Sequence, residues 1–207
     1  MYIPNSYREE DRAILFDLIR HNNFGILISQ SDGIPYATHV PFLLNTSDPE
    51  NPILRTHLAR ANPHWKMLAA SETALCIFQG PHDYVSPNWY DSNPNVPTWN
   101  YAAVHIYGKP TIVEDRETLL QLVSELTAHH ENHRIPAWDV NNAAPLFDQF
   151  LPAIVGIEIP IEKIQGKFKF NQNKSPADQQ SVADHFSAQS DTNSQSIADI
   201  MHRNLTK

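Results

Sequence analysis

Hydrophobic and polar residues alternate with two different periods along the chain, and the period separates predicted helices from predicted strands. Within Asp11–Asn22, apolar residues recur at helical spacing, and the first residue, Asp11, is a favourable N-cap. Further helices are predicted at His64–Ala70, Arg116–His130, Ala143–Phe150 and Pro176–Phe186. Alternating or short apolar runs predict strands at Phe24–Gln30, Tyr36–Leu44, Ile53–Leu58, Thr73–Gln79, Tyr84–Ser86, Thr98–Val113 and Ile154–Ile161.

The order of these elements indicates a fold class. Strands dominate the middle of the chain and helices lie towards its ends, which favours a mainly β (α+β) antiparallel barrel or sandwich with peripheral helices over a parallel, doubly wound sheet. A length of 207 residues fits one domain, which we place at residues 1–186. Residues 187–207 are polar and are expected to form a tail with at most a frayed helix.

Composition excludes several classes of protein. The chain has 15 Lys and Arg against 23 Asp and Glu, a net charge of −8, which argues against a broad DNA-binding surface. One cysteine excludes an intramolecular disulfide or a multi-cysteine zinc site. The start of the sequence does not resemble a signal peptide, and no apolar run is long enough to span a membrane. We therefore expect a cytoplasmic protein that does not contact membranes.

The most informative segment is the predicted strand-to-helix junction, ILRTHLARANPHWKML. Asn62 and Pro63 have the arrangement that starts a helix, and a helix start accepts anions. Arg60 precedes this start and Lys66 follows it by one turn. One hypothesis is a phosphate-binding site formed by Arg60, Ala61, Asn62 and Lys66; the other is an ordinary capped helix with two solvated cations.

Aromatic residues cluster in the next two segments. The loop within Gly80–Pro97 carries Trp89 and Tyr90, which either dock it onto the fold or make it a lid over a planar ligand. In the following strand, Trp99 belongs to an aromatic face that either lines a ring-binding pocket or packs under a helix.

Two further segments are rich in cations or histidines. In GKFKFNQNK, Lys167 and Lys169 share one face and either meet a phosphate or a flavin edge, or are simply solvated. His129 and His133 lie four residues apart, but no third ligand is indicated, so no metal site is predicted. Cys76 lies in an apolar strand and is expected to be a buried, inert thiol.

Six segments together resemble a known family. They are MYIPNSYREED, PYATHVPF, HLARANPHW, FQGPHDYVSPNWY, VPTWNYAAVHIYG and GKFKFNQN. They resemble, in this order, the PaiB-like FMN-binding negative transcriptional regulators of the flavin-binding split-barrel superfamily. The resemblance covers about residues 1–180. Tyr7 replaces the usual Phe, and Asn171 and Lys174 stand where Ser and Arg are frequent.

The resemblance implies a six-stranded antiparallel split barrel that forms a homodimer, with FMN in each of two clefts at the subunit interface. By analogy with split-barrel relatives, phosphate-binding residues lie between His57 and Lys66, and residues of the second strand and of the aromatic and lysine segments contribute to the cofactor site. The candidate FMN-binding residues are Thr38, His39, His57, Arg60, Ala61, Asn62, Lys66, Trp89, Trp99 and Lys167.

The sequence leaves three functional hypotheses open. The first is a flavin-dependent sensor or regulator that acts indirectly or through a partner, because the chain is acidic and has no basic recognition helix. The second is an FMN-dependent oxidoreductase or haem-degrading enzyme that acts on a small molecule. The third is a dimer whose pocket holds no flavin. No catalytic residue is assigned, and His39, His57 and His105 are all candidate acids or bases.

Overall fold

The computed structural model describes residues 1–206. Within them the strands are β1 (Arg8–Glu9), β2 (Phe24–Ser31), β3 (Ile34–Pro41), β4 (Leu43–Asn45), β5 (Ile53–Ala59), β6 (Ala74–Val85), β7 (Thr98–Gly108), β8 (Thr111–Val113), β9 (Ile154–Pro160) and β10 (Lys163–Lys169). The helices are α1 (Arg12–His21), α2 (His64–Ala69), α3 (Arg116–Glu131), α4 (Phe147–Phe150), α5 (Pro176–Ser187) and α6 (Thr192–Leu205). None of these helices is both long enough and apolar enough to cross a bilayer.

The strands form two antiparallel sheets rather than the single six-stranded barrel that we expected. One sheet contains β1, β2, β3, β6, β7 and β10; the other has the order β4-β5-β9-β8. Within residues 1–206 neither sheet closes on itself. The fold is therefore an antiparallel β architecture with helices, as predicted, but the strand count and the division into sheets differ from the prediction.

Two of the extra strands arise because two predicted strands are each broken in the structure. Two more, β1 and β10, were not predicted as strands, whereas predicted strands 73–79 and 84–86 form the single strand β6. Predicted strand 36–44 ends at Pro41 and resumes as β4 in the second sheet, and predicted strand 98–113 ends at Gly108 and resumes as β8. Pro110 has no N–H group with which to continue a ladder. At Gly108 a Cβ atom would lie 1.9 Å from the carbonyl oxygen of Pro160, so this bend needs a glycine.

The chain divides into two compact units that interleave along the sequence. The first contains residues 1–18, 79–104 and those from 165 onward; the second contains residues 19–78 and 105–164. In the first unit, the expected polar tail forms the helix α6, whose Ile197, Ala198 and Met201 are buried. The tail is thus an ordered helix rather than a frayed end, and its last residue, Lys207, lies outside the described residues.

The second unit combines a hairpin with the four-stranded sheet. β2 and β3 pair in register from Phe24 opposite Pro41 to Ser31 opposite Ile34, and the turn uses Asp32 and Gly33, both with positive φ. The buried guanidinium of Arg55 on β5 pairs with Glu125 on α3 at 2.7 Å and Glu158 on β9 at 3.0 Å. These ion pairs join two strands of the sheet to the helix that covers them.

Candidate functional site

A polar cluster forms in the second unit where β3 meets the segment between β5 and α2. The Thr38 hydroxyl lies 2.7 Å from Nδ1 of His64 and accepts a hydrogen bond of 3.4 Å from Nδ2 of Asn62. Oδ1 of Asn62 accepts from the backbone N–H of His64, the first residue of α2, at 3.0 Å; the N-cap itself is Pro63 rather than the expected Asn62. Two predicted site residues, Thr38 and Asn62, are therefore in direct contact.

Ser29, Tyr36 and His64 complete this cluster, and none of them was predicted. His64 is fully buried, and its Nε2 lies 3.0 Å from the hydroxyl of Ser29. Burial lowers the pKa of His64, because the charged imidazolium is desolvated. The Tyr36 hydroxyl donates to Oδ1 of Asn62 at 3.5 Å, and the Tyr36 ring packs against the imidazole of His64. We call these five residues, Ser29, Tyr36, Thr38, Asn62 and His64, the polar corner.

Arg60, two residues before Asn62 in the chain, donates three side-chain hydrogen bonds, none of them to the polar corner. Its Nε donates to the carbonyl of Pro152 at 2.8 Å, its Nη2 to that of Ile154 at 3.2 Å, and its Nη1 to the carboxylate of Glu114 at 2.6 Å. A guanidinium has five N–H groups, so two of them take no partner within residues 1–206. The side chain also lines a cavity of about 390 Å³ together with Glu114, Arg116 and Asp148, and none of the five polar-corner residues lines it. Arg60 is thus fixed in position and keeps two N–H groups that can donate to a ligand.

Trp65 connects the two cations of the predicted phosphate site. Its indole N–H donates to the carbonyl of Arg60 at 2.9 Å. The guanidinium carbon of Arg60 lies 5.9 Å from the Trp65 ring centroid, and Nζ of Lys66 lies 5.5 Å from it. Such cation–π contacts hold flexible cations close to a surface. Ala61 is exposed between them.

Thr38 and His39 point to opposite faces of the hairpin, as neighbouring residues of a strand must. Thr38 faces the polar corner, whereas His39 is exposed and stacks on Phe24 with the ring centroids 6.4 Å apart. His57 on β5 lines a separate groove of about 390 Å³ together with His130 of α3. Its Nδ1 is buried without a partner among the described residues, and burial lowers the pKa of its imidazole. These two histidines do not join the polar corner.

The remaining predicted residues belong to the first unit. Trp89 stacks on His185 with the ring centroids 5.4 Å apart and meets Phe186 edge-on; both of these residues belong to α5. Trp99 is 53% exposed. Nζ of Lys167 lies 5.3 Å from the ring of Tyr101, on the aromatic face of β7.

Comparisons with known proteins identify relatives along the whole chain. Residues 1–163 match the family model described as "Putative FMN-binding domain". The protease synthase and sporulation protein PAI 2 of Bacillus subtilis is 35% identical over 208 residues, covering 100% of this chain and 99% of that protein. An uncharacterized protein of Emericella nidulans is 35% identical over 226 residues, covering 90% of each chain.

Two solved structures share the fold at low sequence identity. One is the FAD and heme binding protein of Mycobacterium smegmatis, with a TM-score of 0.59 and 16% identity over 79% of this chain and 73% of that one. The other is the flavocytochrome Anf3 of Azotobacter vinelandii, with a TM-score of 0.58 and 11% identity over 79% of this chain and 69% of that one. At these identities the likeness concerns the fold alone.

Proposed function

The chain belongs to the PaiB-like family of FMN-binding domains, and on that premise we propose that it is a flavoprotein that binds FMN and regulates gene expression through a partner. We also propose that its sheets are those of a split barrel and that it acts in the cytoplasm. When bound, FMN would supply one-electron and two-electron redox chemistry.

The observation that carries the FMN proposal is the chemistry of the polar corner. Hydroxyl and amide groups of Thr38, Tyr36 and Asn62 lie together. Arg60 and Lys66, two residues before and four residues after Asn62 along the chain, both contact the ring of Trp65. Phosphate oxygens accept hydrogen bonds from hydroxyl and amide groups, and their strongest hydrogen bonds come from Arg and Lys. This set of donors fits the terminal phosphate of FMN.

A homodimer with FMN at the subunit interface is the second part of the proposal. The hairpin face opposite the polar corner carries Phe24, Ile26, Ile28, Ala37 and His39. Of these, Phe24 is 67% exposed, and none of the five is fully buried. A contiguous apolar face of this kind is a common basis of protein association. A second copy of this chain seated there would bring His39 to the interface.

The regulatory part rests on the Bacillus subtilis relative, whose name refers to protease synthesis and sporulation. A net charge of −8 works against direct contact with DNA, since nonspecific affinity depends on cations that displace counterions. We therefore propose that flavin binding changes an interaction with a partner protein rather than with a promoter.

Flavin titration of the purified protein tests this proposal. FMN should bind with a change in its visible absorbance, and Asn62→Ala should weaken binding by about tenfold, the loss of one hydrogen bond to a charged group. Asn88→Ala, an exposed amide of the other unit, is the matched control and should leave the affinity unchanged. A folded protein that ignores added FMN would contradict the proposal, and steady NAD(P)H consumption would favour an oxidoreductase instead.

A further inference from the structure

A small polar cavity lies entirely within the first unit, between the end of β10 and the loop that follows Tyr90. Its volume is about 140 Å³, and its walls include Tyr90, Thr98, Lys169, Asn171 and Lys174. Sites for cofactors and drug-sized ligands usually measure about 300–1,000 Å³, so the cavity is too small for a flavin ring. It is large enough for a small ion, since one water occupies roughly 30 Å³.

The side chain of Asn171 is the unusual feature of this cavity. Asn171 is only 3% exposed and its φ is +64°, in the left-handed region that asparagine tolerates better than most residues. Its Nδ2 donates to the hydroxyl of Tyr90 at 2.7 Å. Its Oδ1 is buried but has no hydrogen-bond partner in residues 1–206. A buried acceptor without a donor is unfavourable, and a ligand that supplies one would remove the penalty.

Two lysines bring positive charge to the same cavity. Nζ of Lys169 donates to the hydroxyl of Thr98 and, at 2.6 Å, to the carbonyl of Trp99. Burial, with a smaller effect from Lys167, lowers its pKa. Nζ of Lys174 donates to Oδ1 of Asn95 at 2.5 Å and lies 4.8 Å from the ring centroid of Tyr90. An ammonium has three N–H groups, so each lysine keeps at least one for a ligand.

The charge of these lysines is not neutralised by a contacting carboxylate. Neither has an ion pair in the part of the chain that the structure describes, and no Asp or Glu of that part lines the cavity. Asp178 lies close enough for Lys174 to affect it, but its two oxygens accept from the N–H and hydroxyl of Ser92, each at 2.9 Å. Those hydrogen bonds are the main cause of its lowered pKa.

We propose that this cavity binds a small oxyanion that carries a hydroxyl group, with inorganic phosphate as the simplest example. The lysines would contact its charged oxygens, and its O–H would donate to Oδ1 of Asn171. Phosphate keeps a proton at neutral pH, whereas sulfate does not and so offers Asn171 no donor. The inference goes beyond FMN binding and does not rest on it, since the polar corner belongs to the other unit.

Calorimetric titration of the full chain with phosphate tests the inference. Phosphate should bind, and Lys174→Met and Asn171→Asp should each weaken it at least tenfold, the first by removing a cation and the second by introducing a negative charge without changing the shape. Lys163→Met, which removes an exposed cation elsewhere, is the control and should bind as the wild type does. Thermal unfolding of each variant checks that it is folded. If Asn171→Asp is not folded, the phosphate affinity of Lys174→Met decides the test.

Two comparisons identify the ligand and its source. Sulfate should bind at least tenfold more weakly than phosphate, and equal affinities would overturn the role of Asn171. The phosphate titration is then repeated on protein saturated with FMN, whose binding is followed separately by visible absorbance. Unchanged phosphate affinity supports a separate site, whereas its loss would assign the cavity to the phosphate end of FMN and overturn the inference. Wild-type protein that binds FMN but no phosphate would overturn this inference alone.

Discussion

At the residue scale, the guanidinium of Arg60 links the proposed phosphate site to the loop that precedes β9. Its bonds to Pro152, Ile154 and Glu114 position it, and its remaining N–H groups can reach a ligand. Glu114 competes with an incoming phosphate for the same positive charge. The pair therefore offers a way to separate a ligand-binding role of Arg60 from a structural one.

We predict that Arg60→Ala weakens FMN binding by about 10- to 150-fold, because a hydrogen bond to a charged group contributes roughly 1.5–3 kcal/mol. Glu114→Gln should strengthen binding, since it removes the competing carboxylate. Fluorescence titration of FMN measures both affinities. A purely structural Arg60 gives the opposite signature: Arg60→Ala and Glu114→Gln would both lower the unfolding temperature, and the affinity of the folded protein would not change.

His64 makes the stability of the protein depend on pH. Its folded-state pKa lies below the usual value near 6.5, so at mildly acidic pH the unfolded chain binds more protons than the folded one. The free energy of unfolding should therefore fall as the pH drops from about 7 through the folded pKa, by at most about 1.4 kcal/mol per pH unit for this group. Urea unfolding at several pH values measures that slope.

His64→Gln should flatten the slope because it removes the titrating group. Ser29→Ala, which removes a hydrogen bond to His64 but no titrating group, should lower stability and keep the slope. A His64→Gln protein whose slope equals that of the wild type would show that other groups control the acid sensitivity. His57 and His105, whose pKa values burial also lowers, would then be the next to replace.

The sequence could predict part of the polar corner and not the rest. Thr38 and Asn62 were predicted from the family resemblance and from the signal of a helix start. The alternation within PYATH places Tyr36 on the same strand face as Thr38, so Tyr36 could have been predicted from the sequence as part of the cluster. The position of His64 depends on how α2 folds back against β2 and β3, a long-range contact that no local pattern encodes. Whether these residues bind FMN stays a prediction.

At the element scale, the junction of β5, β9 and α3 depends on Arg55. Most elements could be predicted because their hydrophobic periods are clear: α1, α2 and α5 begin and end within one residue of the expected bounds. The break after Pro41 could not, because apolar residues continue across it. The break at Gly108 had a local signal in Gly108 and Pro110, but only tertiary packing decides which sheet each half joins. The role of Arg55 could not be predicted for the same reason. Its position in a strand follows from the local pattern, but its ion-pair partners are 70 and 103 residues away.

We predict that Arg55→Leu destabilises the protein by about 3 kcal/mol. Loss of one member of a buried ion pair costs roughly 3–5 kcal/mol, and the partly exposed Glu125 and Glu158 place the cost at the low end. Arg116→Leu breaks an ion pair of similar length with Asp148 but on the surface, and should cost below about 1 kcal/mol. Chemical denaturation measures both; equal costs would contradict the structural role of Arg55.

At the scale of the whole molecule, the proposed homodimer needs a surface that a second copy can cover. The hairpin face defined by Phe24, Ile26, Ile28, Ala37 and His39 is the candidate. Specific dimers bury roughly 800 Å² per partner, and the apolar residues at the centre contribute most of the affinity. Phe24→Lys should therefore raise the dimer dissociation constant at least 100-fold. Ile135→Lys, at a fully exposed apolar residue outside this face, should leave it unchanged.

Sedimentation velocity with and without FMN completes this test, because a ligand held between two subunits must bind the dimer more tightly than the monomer. Linkage then requires that FMN strengthens dimerisation and that Phe24→Lys weakens FMN binding, although Phe24 lies on the opposite face from the polar corner. Asn62→Ala should weaken FMN binding and leave dimerisation without FMN unchanged. If Phe24→Lys dissociates the dimer and the monomer binds FMN with wild-type affinity, the flavin does not sit at the interface.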